Sequence, residues 1–473
     1  MSIECNDIHS RLNRTLVSAI AKPSDTEEVA GILSHAAMEG TLVSICGARH
    51  AMGGQQFGTN TLLIDLSELR HVELIDDGPG TVEAGAGIQW PDLIDALIAQ
   101  QPGDDFPLTI RQKQTGANDM TLGGGLSANI HGRGLAMRPL IDDVEAFTLV
   151  DAGGSIHRCS RSENAELFRL VIGGYGCFGV ITSVCLRLVR RHKLIRSVEM
   201  LGLDRLMDAF NEKIADGYLF GDFQFSIDET SADFLHHGVF SCYRAAPQET
   251  IISDEPSPFG WQALGNLIRL AHTDRKKGFE MYSEFYLKTD GVAYWSDLHQ
   301  MSLYQDGYHL SLDEDLHAEC AGSEMISELY VPHDRLEEFM ERSAKELRKH
   351  GAPLIYGTVR LIRRDEESFL AWAKQDLACV IFNLHTEHHP AGIERSAAAF
   401  RALYDISLSL DGSFYLTYHR WATAEQLLSA YPQLPEFLRL KERHDPAGRF
   451  QSDWWRHLAA IIPHRSLLPD DGI

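Results

Sequence analysis

The sequence predicts an α+β fold, with a glycine-rich amino-terminal part of short strands and turns followed by an antiparallel sheet with helices. Three observations carry this reading. An apolar run, Leu42-Val43-Ser44-Ile45-Cys46, enters a turn holding Gly47, Gly53 and Gly54 and leaves through Leu62-Leu63-Ile64-Asp65-Leu66. Hairpin signals recur between residues 71 and 190. From residue 195 glycine thins out, and strand-like and helix-like segments alternate without the glycine signatures of βαβ units.

Taken in order, residues 10–40 read as strand then helix. Ala21-Lys22-Pro23-Ser24-Asp25 forms a turn and cap, after which Val29, Ile32, Leu33 and Ala36-Ala37 recur at helical spacing. The glycine turn follows. Its glycines reach backbone angles closed to other residues and let N–H groups converge on an anion, so it reads as a phosphate cradle. His50 inside it is a nucleophile that a phosphate grip does not need.

Residues 71–75 and 81–87 flank an Asp-Asp-Gly-Pro-Gly turn as a hairpin. Trp90-Pro91-Asp92 opens a helix carrying Leu93, Ile94, Leu97 and Ile98. Within the second glycine-dense stretch, 114–134, Leu122, Leu126 and Ile130 fall four apart, which predicts a buried helix lined with glycine and alanine. Its bare backbone can lie flat against a large planar or phosphorylated ligand. Residues 144–150 and 155–158 make a further hairpin. These glycine-rich turns are expected to sit among antiparallel strands. Gly174, Gly176 and Gly179 match the dinucleotide fingerprint, which needs a strand before it and a helix after it. Val180 to Leu188 alternates like a strand instead, which argues against a Rossmann fold.

Composition narrows the function. Lys and Arg total 43 against 67 Asp and Glu, a net charge of −24 that disfavours nucleic acid or an anionic membrane as partner. The eight cysteines include no CxxC pair, so neither a zinc knuckle nor a disulfide framework is expected. The histidines of His385-Thr386-Glu387-His388-His389 do not have HExxH spacing, and no metal is expected. An N-terminus without an apolar run and the lack of any span-length segment predict a cytoplasmic protein without a membrane span.

Six stretches in order, GARHAMGGQQFG, TVEAGAGIQWPDLIDAL, GANDMTLGGGLSANIHGRG, DDVEAFTLVDAGG, GGYGCFGVITSVCLRL and HDPAGRFQSDWW, resemble the vanillyl-alcohol-oxidase superfamily of flavoproteins. Within it the likeness is to alditol and aldonolactone oxidases and, for TLGGGLSANIHGRG, to decaprenylphosphoryl-ribose oxidase. The resemblance implies a two-subdomain FAD-binding domain of the PCMH type at 1–192, an antiparallel-sheet substrate domain at 193–418, and a segment, 419–473, returning to the FAD domain. It implies FAD bonded through its 8α-methyl to His50. It further implies cofactor contacts from Cys46, Gly47, Ala48, Arg49, Ala51, Gly116, Ala117, Met120, Thr121, Gly123 and Gly124. Ala128, Asn129, His131, Gly132, Gly179, Val180 and Ile181 complete that set. The cradle N–H groups of 47–51 and 116–124 would hold the pyrophosphate. The alternative for His50 is a hydrogen bond to phosphate. No cysteine lies between Cys46 and Cys159, so a second flavin attachment in the glycine-dense stretch is not expected.

His131 matches a histidine close to flavin and substrate; the other reading ties it structurally to Asp142 or Asp143. On the strand where alditol oxidases carry Glu-x-Arg, this chain has Thr358-Val359-Arg360, keeping the arginine and not the glutamate. Arg360 can stabilise negative charge as a hydride arrives on the flavin. His385 lies near a family histidine position without coinciding with it. The place of a family lysine falls on Tyr418 or His419, with His419 the expected base because its ordinary pKa suits that task. The expected activity is oxidation of a CH–OH group of a polar small molecule, with oxygen or another acceptor taking the electrons. Oxidation of a CH–NH group, as in cytokinin dehydrogenases, a silent flavin-binding protein, and an NAD-dependent dehydrogenase are the alternatives. Residues 250–325 are expected to be loops over the site.

Overall fold

The computed structural model describes residues 2–75, 80–112, 118–253, 261–299 and 307–463. The chain opens with a two-stranded ribbon, Ile3–Cys5 against Thr15–Val17. It then builds a three-stranded sheet in which Leu62–Asp65 lies between Ala19–Ala21 and Val43–Cys46, all parallel. The cradle therefore stands on a parallel sheet, not among antiparallel strands as the turn pattern suggests. Helix Thr26–Glu39 is the reason, because it supplies the crossover between the first two of these strands. The Asp25 side chain accepts from Glu28 N at its start, and Gly40, at φ 72°, closes its end.

A second sheet is antiparallel throughout, in the order Ile156–Ser160, Val144–Val150, Val180–Arg190, Thr81–Gly85 and Val72–Ile75, with Leu108–Ile110 also on Val180–Arg190. Helix Leu122–Ala128 buries Leu122 and Leu126, as the four-residue spacing predicts. The turn of the hairpin at 76–79 lies outside the described residues. Helix Ala165–Val171 precedes the GxGxxG turn and strand Val180–Arg190 follows it, the reverse of the Rossmann order.

The third sheet has eight antiparallel strands, in the order Ala293–Trp295, Lys193–Gly202, His237–Ala245, Tyr218–Phe225, Leu354–Ile362, Leu377–Glu387, Gly322–Pro332 and Ser413–Phe414. Residues 250–325 are not simply loops. Among them Trp261–Thr273, Arg275–Leu287 and Tyr308–Asp315 are helices. Leu264, Leu267, Ile268 and Ala271 recur at helical spacing on the first of these, a signal diluted by the charged residues around it. Past Phe414 the chain leaves the sheet, and residues 415–421 are irregular.

The carboxyl-terminal segment docks on the first sheet. Val43 N donates to Arg449 O at 2.8 Å, and Gln451 N donates to Val43 O at 2.8 Å. Asp445 organises this junction. Its carboxylate accepts from Lys441 Nζ at 2.6 Å, Arg449 N at 2.9 Å and Phe450 N at 2.8 Å, and both members of the ion pair are 1% exposed. Removing one partner of such a pair strands a buried charge. Asp445→Ala is expected to lower the unfolding free energy by about 3–5 kcal/mol, read from denaturant unfolding followed by tryptophan fluorescence.

Candidate active site

The glycine-rich turns and the third sheet enclose a cavity of about 1680 Å³. Pockets for small ligands run to about 1,000 Å³, so this one has room for a dinucleotide with substrate beside it. One wall is the cradle: Cys46, Gly47, Ala48, Arg49, His50 and Ala51. Arg49 sits at φ 63°, and the backbone N–H groups of Ala48, Arg49 and Ala51 bond no other described residue. Such a run of N–H groups suits an anion. Arg49 also lies 3.4 Å from the Asp65 carboxylate. His50 Nδ1 is 2.7 Å from His9 Nε2, which holds the imidazole in place. Burial lowers the His9 pKa to about 4, against the raising influence of Glu324. Cys46 lines the cavity as a thiol, since burial pushes it up to about 12.

The glycine-dense stretch forms the next wall through Met120, Thr121, Gly123, Gly124 and Ala128. Gly116 and Ala117 lie outside the described residues. A Cβ on Gly47 would fall 2.1 Å from Thr121 Oγ1, and one on Gly123 would fall 2.6 Å from the Ala86 Cβ. The glycines thus bring two backbones into contact and leave the cavity open above them. The N–H groups of Leu122 and Gly123 donate to Ile88 O and Ala86 O, so they serve this packing and do not face an anion. Gly179 and Ile181 complete the wall beside Tyr175. Asn129, Gly132 and Val180 do not line the cavity. Asn129 is a joint, donating to Asp365 at 2.9 Å and accepting from Ile141 N at 3.0 Å.

The opposite wall is one face of the third sheet. Side chains two apart share a face, so Glu324, Ile326 and Glu328 of strand Gly322–Pro332 all reach the cavity. Asn383, Tyr356 and Arg360 join them from the neighbouring strands. Glu328 is the centre of this face. Its Oε2 lies 2.9 Å from His131 Nε2 and accepts from the Tyr330 hydroxyl at 2.9 Å, while its Oε1 accepts from the Tyr418 hydroxyl at 2.6 Å. The other His131 nitrogen is 3.0 Å from Gly132 O. Burial alone would raise the Glu328 pKa, but His131, Arg360 and Tyr418 hold it down at about 2. Burial and the adjacent Glu328 push the Tyr418 hydroxyl well above its ordinary range.

His131 is therefore tied to Glu328 and not to Asp142 or Asp143, which pair with Arg111 at 2.6 and 2.5 Å. His131, Arg360 and Tyr418 are brought together; His385 and His419 are not. His419 is packed between Phe400 and Trp421, with Nε2 3.1 Å from the Tyr404 hydroxyl. Burial and then Arg401 push its pKa down to about 3. An ordinary imidazole pKa, the reason for expecting His419 as the base, does not survive this burial, and Tyr418 is the one of the pair that reaches the cavity. Glu328 escapes sequence reasoning. Its signal is a pair of acids, Glu324 and Glu328, on one face of a strand whose other face is Met325, Leu329 and Val331.

An FAD binding domain family matches residues 17–160. L-gulono-1,4-lactone dehydrogenase of Mycobacterium tuberculosis (strain ATCC 25618 / H37Rv) is 24% identical over 454 residues, 93% of this chain and 96% of that one. L-gulonolactone oxidase of Bos taurus is 30% identical over 188 residues, 40% of this chain and 41% of that one. An uncharacterized oxidoreductase, ORF5 in the fasciation locus of Rhodococcoides fascians, is 26% identical over 181 residues, covering 38% of this chain and 40% of its own length. The fold is similar to that of a solvent-stable cholesterol oxidase, with a TM-score of 0.72 and 15% identity across 94% of this chain and 95% of that one. Among the described residues no helix is long and apolar enough to cross a membrane. A glycine cradle that suits a pyrophosphate, a cavity with room for a dinucleotide, and these likenesses mark the chain as an FAD-dependent oxidoreductase with a PCMH-type FAD-binding domain, similar to lactone oxidases and dehydrogenases.

Proposed function

We propose that this enzyme oxidises a CH–OH group of a polar small molecule at the Glu328 face of the cavity. One observation carries the reading: a buried carboxylate, a histidine, two tyrosine hydroxyls and an arginine meet on the wall opposite the cradle. The full-length likeness to a lactone dehydrogenase supports it. We assign residues 1–192 to the FAD domain, 193–418 to the substrate domain and 419–473 to the returning segment. Gly47, Ala48, Arg49, Ala51, Gly124 and Gly179 would hold FAD, with His50 as its covalent attachment.

FAD, when bound, supplies the acceptor for the hydride, and oxygen or another acceptor later takes the electrons. The protein handles the proton. The substrate hydroxyl donates to the Tyr418 oxygen, and the Tyr418 proton shifts along its 2.6 Å hydrogen bond to Glu328 Oε1. His131 stays hydrogen-bonded to the other oxygen of that carboxylate at 2.9 Å and keeps it aimed at Tyr418. Arg360, 5% exposed, supplies fixed positive charge against the negative charge that develops in the cavity. Tyr330 fixes the carboxylate from behind, and Tyr330 itself stacks on Trp372 at 4.6 Å.

Three outcomes test this. Anaerobic addition of lactones and polyols should bleach the bound flavin with at least one class; a panel without any bleaching refutes the proposed oxidation. Glu328→Gln and Tyr418→Phe are each expected to slow flavin reduction by about 10²–10⁴-fold at unchanged FAD content, measured by stopped flow. Acid precipitation should leave the yellow colour in the pellet for the wild type and in the supernatant for His50→Ala.

The same carboxylate sets a pH dependence. A carboxyl whose folded pKa is depressed stabilises the fold above its ordinary value of 4.5, and that contribution disappears as pH falls toward about 2. Thermal melts from pH 6 to 3 should therefore fall more steeply for the wild type than for Glu328→Gln, whose side chain cannot titrate.

A further inference from the structure

Four residues before Glu328 on the same strand face, Glu324 belongs to a second cluster that the oxidation does not use. It stands directly across from His385 in the register of strands Gly322–Pro332 and Leu377–Glu387. His272 reaches it from helix Trp261–Thr273. His272 Nε2 is 3.2 Å and His385 Nδ1 is 3.8 Å from the same oxygen, Glu324 Oε1, and the three ligand atoms all lie within 4.8 Å of one another. The rings of the two histidines meet edge to face at 4.8 Å. A Cβ on Gly322 would fall 2.3 Å from His385 Cε1, so the bare glycine makes room for that ring.

The Glu328 cluster is also a histidine, a glutamate and a cysteine in close array, yet its oxygens are satisfied by hydrogen bonds of 2.6–2.9 Å. The Glu324 cluster is different. His272 Nε2, Glu324 Oε1 and His385 Nδ1 are all buried, and none makes a hydrogen bond of good geometry with a described residue. Three buried polar atoms that face one another at 3.2 and 3.8 Å without a well-aligned hydrogen bond call for an explanation, and a bound ion supplies one. Two imidazoles and a carboxylate are the donor set of a three-ligand zinc site. Bonds of about 2.0–2.2 Å in tetrahedral geometry put ligand atoms about 3.3–3.6 Å apart, within a small shift of the observed spacing. Tyr308, which lines the cavity, hydrogen-bonds the Glu324 carboxylate as an outer partner.

We propose that His272, Glu324 and His385 bind one divalent transition-metal ion, with Zn²⁺ favoured by the donors, pinning helix Trp261–Thr273 to the sheet at the cavity wall. Residues 385–389 by themselves lack a metal-site spacing, and no metal is expected from them. Here one ligand comes from that run, and the other two come from residues 61 and 113 positions before it. The site stands independently of the proposed oxidation, because neither Glu328 nor the cradle takes part in it.

The test uses the full-length flavoprotein without an affinity tag, stripped with a chelator, loaded with ZnCl₂, gel-filtered and analysed for metal. About one zinc per chain is expected in the wild type and in His35→Ala, a control on the surface of helix Thr26–Glu39. Glu324→Gln and His385→Ala should each weaken Zn²⁺ binding by about 100-fold or more while keeping their FAD. Equal zinc in wild type and both variants, or none in the wild type, overturns the site. A second measurement does not depend on how the variants fold. Co²⁺ added to the stripped wild type should give ligand-field bands at wavelengths beyond the flavin absorption, and their absence also overturns it.

Discussion

The rest of the structure depends on how closely three stretches of backbone approach one another at the cradle. Gly47 lies on Thr121, Gly123 lies on Ala86, and Gly87 lies against the Leu66 carbonyl, where an added Cβ would come within 1.9 Å. A side chain at Gly47 or Gly87 would push the first sheet's loops away from the second sheet and its helix, and one at Gly123 would lift helix Leu122–Ala128 off the second sheet. The glycines are therefore contacts as well as flexible turns. Their approach leaves a floor of backbone and small side chains under the cavity, which is what a long, flat, phosphate-bearing cofactor requires.

Facing that floor, the third sheet does the opposite. It spends buried surface on charge. Glu328, Arg360 and His131 are each no more than 5% exposed, and an uncompensated group there would be strongly unfavourable. The cluster survives because each Glu328 oxygen has a donor and the charges offset one another at short range. Helices Leu336–His350 and Pro390–Ser409 contribute nothing to the cavity lining; they bury the other face of the sheet with Met340, Ala344, Phe400 and Leu403. That division of faces holds the polar groups in position without mobile support. It also explains His419: beside Phe400 and Tyr404 it belongs to the packed side of the sheet.

Much of the fold is legible along the chain, because the signals are local. The Asp25 cap, the prolines and glycines of the turns, and the spacing of Leu122 and Leu126 each act over a few residues. His50 and Arg49 are legible for the same reason, since the cradle is one continuous turn. Arg360, His131 and Tyr418 are named from the sequence, but what joins them is not.

The chain order alone determined most element types of the amino-terminal half and the glycine turn of residues 47–54, and its motifs resemble those of FAD-binding proteins. Tertiary structure decided which way the first sheet runs, that residues 250–325 contain helices, and that Glu328 is the hub of the polar face of the third sheet. The physical reason is distance along the chain. His131 meets Glu328 across 197 positions, and strand pairing between remote segments, not any local propensity, sets which polar side chains share one face.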